Sequence, residues 1–244
     1  MASAPVDALP TTRARAERPL YTAAALGAAL VVLGGFAPSY YLKSVFGAPD
    51  LTTLKHVHGV VMTSWFALFL VQARLAATGR IATHRQLGWV GVFVAILVLA
   101  VGTALGIASA KAGFTPVPSI SPLVFLVMPI GQMVMFALLF AAAVALRKRS
   151  DHHKRLMLLA SVSMLTPALA RLPTAAIGLG GGPLVFFALT DLLVLACIAY
   201  DTVKNRRLHP AFAAGFVFIV VMQFGRLAFS QTAAWTRFAT WLVG

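Results

Sequence analysis

The 244-residue chain is 60% hydrophobic and only 11% charged, with a mean hydropathy of +0.88 and a formal net charge of +14. An ordinary soluble globule, with about a quarter of its residues charged, is excluded. A nucleic-acid binder is excluded too, because the basic residues gather at the ends of apolar segments and form no continuous hydrophilic surface.

Apolar runs of about 20 residues recur along the chain, which predicts an all-α polytopic transmembrane bundle of seven helices. Residues 1–19, with Arg13, Arg15 and Arg18, read as a flexible basic leader. The run Leu20–Ala37 exits into Pro-Ser-Tyr-Tyr and not into a small-x-small cleavage site, so it is taken as the first helix. Tyr21, Tyr40 and Tyr41 flank it as interfacial anchors. The second helix is expected from Thr52 to Ala77, the third from Thr83 to Ala108, and the fourth from Ser119 to Leu146. The fifth covers Lys154 to Ile177 and is closed by the glycines from Gly178 to Gly182. The sixth runs from Pro183 to Tyr200 and the seventh from Pro210 to Phe229, with proline in the first turn, where its missing N–H leaves nothing unpaired. The transmembrane domain thus spans 20–230. Residues 231–244, with Trp235 and Trp241, form either an interfacial segment or a frayed tail.

Charge sets the orientation. The densest basic run, RKRSDHHKR from Arg147 to Arg155, joins the fourth and fifth helices. Arg74, Arg80 and Arg85 mark the second–third connection, and Lys204, Arg206 and Arg207 the sixth–seventh. The alternate connections hold Lys43 and Lys55 against Asp50, then only Lys111, then only Arg171. This bias predicts a cytoplasmic N-terminus and an outside C-terminus. Arg85, Arg149, Lys154, Arg155 and Arg207 also suit anionic lipid headgroups on the cytoplasmic side. The sole cysteine, Cys197, sits in an apolar run and reads as a buried inert thiol.

Ionisable groups inside a span are costly, so they are the best functional markers. At 1.5 Å per residue, His58 lies about 9 Å into the second helix and Asp191 about 12 Å into the sixth, both from the outer side. Arg226 is about 24 Å along the seventh helix, and Arg171 is similarly far along the fifth. These four residues are expected to converge on the outer half. There Asp191 pairs with Arg226 or Arg171, and His58 is a ligand or proton acceptor. The plainer reading has the arginines snorkelling to headgroups. Gln72, Gln132 and Gln223 offer a polar route, and Pro129 and Pro167 kinks that free backbone carbonyls.

A second cluster is expected at the cytoplasmic face. His84, His152, His153 and His209 stand at helix starts, and Asp201 closes the sixth helix. His84, His153 and His209, with Asp201 as a fourth donor or outer partner, are candidate ligands for a transition metal or haem b. Alternatively, Asp201 pairs with Lys204 or another helix-end base, and Asp151 caps the fifth helix. The chain has no nucleotide-binding glycine loop, no GxSxG elbow and no loop large enough for a soluble catalytic domain.

LKHVHGVVMTSW, ATGRIATHRQLGWVG, HHKRLMLLA and AYDTVKNRRLHP together resemble an uncharacterised family of small bacterial multi-pass inner-membrane proteins. The resemblance covers most of the chain after the leader and implies an intact protein of that membrane, with no activity to carry over. HRQLG at His84 resembles the histidine-bearing helix starts of membrane b-type cytochromes and ferric-reductase-like modules. It implies one haem held by His84 with His153 or His209. The seven-helix, N-inside arrangement is similar in topology alone to membrane hydrolases with an intramembrane zinc.

Three functions are expected from this reading. The first is a metal- or haem-binding membrane protein in redox chemistry or respiratory assembly. The second is a small-molecule or proton carrier using the outer polar residues. The third is a non-catalytic subunit of a larger membrane complex.

Overall fold

A computed structural model describes residues 12–173, 178–179 and 181–244, with side chains from residue 19 onward. It is an all-α bundle, and among the described residues six helical stretches are long and apolar enough to cross a membrane. They are 19–41, 53–77, 81–111, 122–145, 183–205 and 210–229, with mean hydropathy from 1.6 to 2.7.

In chain order, α1 (Thr12–Phe36) runs into a π-helical turn, Ala37–Tyr41. Next come α2 (Thr53–Ala77) and α3 (Ile81–Lys111), then a short α4 (Pro122–Phe125) leading to α5 (Val127–Ala145). The expected fifth helix is three pieces: α6 (Ser150–Val162), a 3-10 turn over Ser163–Leu165, and α7 (Thr166–Leu169). It begins earlier than the expected Lys154. Its expected end, Ile177, lies outside the described residues. Then follow α8 (Pro183–Asn205), α9 (Pro210–Phe229) and α10 (Ala233–Val243).

The broken segment α6–α7 is the axis of the bundle. Leu158 through Leu165 are all buried, as are Arg155, Leu156, Ala168 and Leu169. A helix buried all round needs neighbours on every side, and α1, α5, α8 and α9 supply them. Those neighbours turn their other faces outward, where Leu30, Leu192 and Val217 are about 60% exposed. α2 and α3 form a further hairpin layer against α1 and α5. Two glycines let the axis be gripped closely. A Cβ at Gly35 of α1 would strike the Ala168 carbonyl, and one at Gly215 of α9 would strike Leu159.

The break has a covalent cause. In an unbroken helix the Ser163 carbonyl would accept from the N–H of residue 167. Residue 167 is proline and has none. The helix tightens into a 3-10 turn there, and the Ser163 carbonyl accepts from Gln132 Nε2 at 3.2 Å.

The C-terminal segment is not a frayed tail. α10 folds back on α3 and α4, burying Trp235 and Ala239 against Ala110, Leu126 and Val127. The two glycines of VGTALG in α3 serve close helix approach. Gly102 faces Met133 and Gly106 faces Pro129, whereas Gly88 of GWVGVF meets nothing within 4 Å.

Candidate functional site

The two clusters expected from sequence have different fates. At the basic end, marked by Arg147–Arg149, Arg206 and Arg207, the cytoplasmic candidates do not form one ligand set. Asp201 is taken up by Arg155, its Oδ2 accepting from Nε at 3.0 Å and its Oδ1 from Nη2 at 2.7 Å. Both residues are at most 1% exposed, and the guanidinium lies 5.7 Å from the Phe212 ring centroid. The guanidinium occupies both carboxylate oxygens, and its positive charge opposes a metal cation beside them.

The histidines separate into pairs. The rings of His84 and His153 are 6.2 Å apart, with His153 Nδ1 at 2.8 Å from the Ala143 carbonyl. The rings of His152 and His209 are 4.8 Å apart. His209 is spent on capping: its Nδ1 accepts from the Ala211 N–H at 3.1 Å at the start of α9. Among the described residues, no three His, Cys, Asp or Glu side chains come together to hold a metal. The expected His84, His153, His209 and Asp201 set therefore does not assemble. Asp151 is not the expected cap either, because Arg149 occupies the N-cap and Asp151 pairs with Lys154 at 2.8 Å.

Burial, Arg155 and His152 together hold the His209 imidazole below the usual histidine range, with Asp151 and Asp201 partly opposing them. The neutral ring that results is the form able to accept the Ala211 N–H.

The outer four residues also divide. His58 and Arg171 fall together on the α1 side. The Arg171 guanidinium stacks 4.3 Å over Phe36 and donates to the Pro167 carbonyl at 2.7 Å. Asp191 pairs with neither arginine, contrary to expectation. Its Oδ1 accepts from Gln223 Nε2 at 2.9 Å.

Arg226 is the most unusual group in the molecule. It is 6% exposed, yet its Nη1 donates only to neutral oxygens, the Met128 carbonyl and Gln132 Oε1, each at 3.3 Å. Its guanidinium lies 4.6 Å from the Phe187 ring centroid, and its Nε has no partner. Among the described residues, no carboxylate forms an ion pair with it. Gly131 makes its position possible, since the aliphatic stem passes 3.1 Å from where a Cβ would stand.

Ser163, Gln132 and Arg226 form one chain of polar groups, with the Gln223–Asp191 pair beside it. The Ser163 carbonyl at the helix break binds the Gln132 amide, and Gln132 in turn accepts from Arg226. One turn back along α9 from Arg226, Gln223 holds Asp191 and keeps its own Oε1 unpartnered while 1% exposed. Phe187 and Asp191 lie one turn apart on α8, and Gln223 and Arg226 one turn apart on α9, so the two helices present matched faces. Thr190 and Thr166, 2.9 Å apart, tie α8 to the broken segment beside this chain. The sequence had marked Gln132 and Gln223 as polar liners but had not joined either to Arg226. Of the third such residue, Gln72, the Oε1 is buried without a partner.

Comparison with family models, with curated proteins and with solved structures found no match to this chain.

Proposed function

We propose that the protein is a membrane carrier for a small anionic solute, with Arg226 as its binding cation and the break at Ser163–Leu165 as its moving part. The observation that carries this reading is a buried guanidinium that meets only neutral oxygens. An intramembrane charge is expensive unless something opposite in sign accompanies it. An anion bound at Arg226 Nε would supply that charge and satisfy an orphaned donor. The break supports the second half of the reading, because irregular backbone at membrane depth is tolerated where it is buried in protein or lines a solute path. Its freed carbonyl is held here by a side chain, Gln132, that also holds Arg226. Gln132 touches both the break and Arg226, so occupancy of the site and the geometry of the break are mechanically linked. The proposed orientation places the N-terminus in the cytoplasm of a bacterial cell and Arg226 in the outer half of the inner membrane.

The test uses the full chain in proteoliposomes, with chloride, nitrate, acetate and lactate as probes. At least one anion is expected to move down its gradient faster than in empty vesicles, and Arg226→Gln is expected to abolish this without loss of folded protein. Equal fluxes for wild type and Arg226→Gln would overturn the reading.

One observation favours a second reading. His84 and His153 do come together, as a two-histidine haem or metal site at the basic end would require. An oxidised-minus-reduced absorption spectrum with metal analysis decides it, since a Soret band or integral metal lost in His153→Ala is its signature.

A further inference from the structure

Between α1 and α2 a groove opens on the outer surface of the bundle, well away from Arg226. It consists of two joined hollows of about 490 and 460 Å³ that share Thr22, Leu26 and Arg74. Leu70, Val71 and Leu75 of α2 and Leu26 of α1 make its walls apolar. From Leu70 to Thr78 it follows about 12 Å of helix, close to the depth of one leaflet's hydrocarbon, about 15 Å. Its far end is lined by Ala77 and Thr78, beside Arg80 in the short α2–α3 connection.

Arg74 stands where the two hollows meet. It is exposed, and no carboxylate among the described residues pairs with it. Its stem can lie along the apolar wall while the guanidinium reaches headgroup level. The required occupant has two parts: an acyl chain for the slot and an anionic head for the arginine. A second copy of the chain fits poorly, because it would bring another +14 of net charge to the same cation.

We infer that the α1–α2 groove is a specific site for one anionic phospholipid, with the headgroup phosphate on Arg74 and an acyl chain between Leu26 and Val71. The site is independent of the carrier reading and is tested without it. An arginine at a membrane surface contributes enough to favour an anionic over a zwitterionic lipid roughly fivefold.

The test is native mass spectrometry of the full chain in detergent, titrated with phosphatidylglycerol or with phosphatidylcholine of the same chains. Wild type is expected to retain one phosphatidylglycerol with about that fivefold preference. Arg74→Gln should bring the preference close to unity, Arg80→Gln should leave it, and Val71→Trp should weaken both lipids alike. Melting curves of each variant confirm the fold, and inorganic phosphate should not displace the lipid. The inference fails if the preference survives Arg74→Gln or is lost equally in Arg80→Gln. It fails too if phosphate competes, or if Leu26→Trp alters the protein's oligomeric state and not its lipid binding.

Discussion

Arg155 and Arg226 are both buried, and they have opposite surroundings. Arg155 meets Asp201 in a bidentate pair and also donates to the Asp151 carbonyl at 2.9 Å. Arg226 meets an amide oxygen, a backbone carbonyl and an aromatic face. Each side chain must give up hydration, but only one recovers a charge in return. The first arrangement fixes the register of α6 against α8. The second leaves a cation whose energy falls when an anion arrives. Burial alone therefore separates neither role; the charge of the partner does.

The largest test of this contrast removes a partner. Asp201→Ala takes the buried bidentate carboxylate from Arg155 and should cost about 3–5 kcal/mol, read as a loss of folded monodisperse protein in detergent. Replacing both members, as Arg155→Met with Asp201→Leu, should recover most of it. Arg226→Met should do the reverse of Asp201→Ala. With no ion pair to break and a desolvated charge removed, the melting point should stay level or rise by the equivalent of about 1–3 kcal/mol, while anion flux is lost. A fall as large as that of Asp201→Ala would mean that Arg226 is a structural tie after all.

Gly131→Ala presses on the Arg226 stem without touching its charge. Alanine favours the helix more than glycine does, and its methyl crowds the stem. The two effects should cancel within about 1 kcal/mol, so a changed flux at constant stability would locate the effect in the arginine's position.

A smaller effect comes from His209. Its folded value lies below the ordinary one of about 6.5, so the unfolded chain takes up the proton first. The His209 contribution is therefore complete above about pH 6.5 and is lost as pH falls through the lower folded value. Melting points across that window should decline on acidification, and less so in His209→Asn, which keeps a capping side chain. The smallest effect is expected at Lys43 and Asp50, whose 2.6 Å ion pair lies in solvent. Lys43→Ala should leave the melting point unchanged.

The legible parts of the fold were those with a local chemical cause. Pro210 marks the start of α9 because the first turn needs no N–H there, whereas the cap that His209 supplies is a finding of the structure. Pro167 announced a disturbance in the fifth segment. Its consequence, a 3-10 turn whose carbonyl is claimed by another helix, depends on Gln132 thirty-one residues away. The Arg155–Asp201 pair was hidden for a different reason. Arg155 closes a solvent-like basic run, and sequence does not show that it rotates inward; its position beside Leu156 and Leu159 on the buried side of α6 was the available sign. His58, Asp191 and Arg226 lie on α2, α8 and α9, whereas Arg171 lies beyond the end of α7, and the partners of Asp191 and Arg226 do not follow from the sequence. Asp191 to Gln223 and Arg226 to Gln132 are set by helix rotation, which one sequence with weak periodicity leaves open.

The docking of α10 has a consequence for how the molecule is made. Trp235 donates its indole N–H to the Leu123 carbonyl at 2.9 Å, across 112 positions of chain. Leu126 and Val127 wait for the same late segment to cover them. During synthesis the α4–α5 corner is made 112 positions before its partner, so this wall stays open until α10 follows and docks. A chain cut before Ala233 would lack this cover and leave Leu126 and Val127 open.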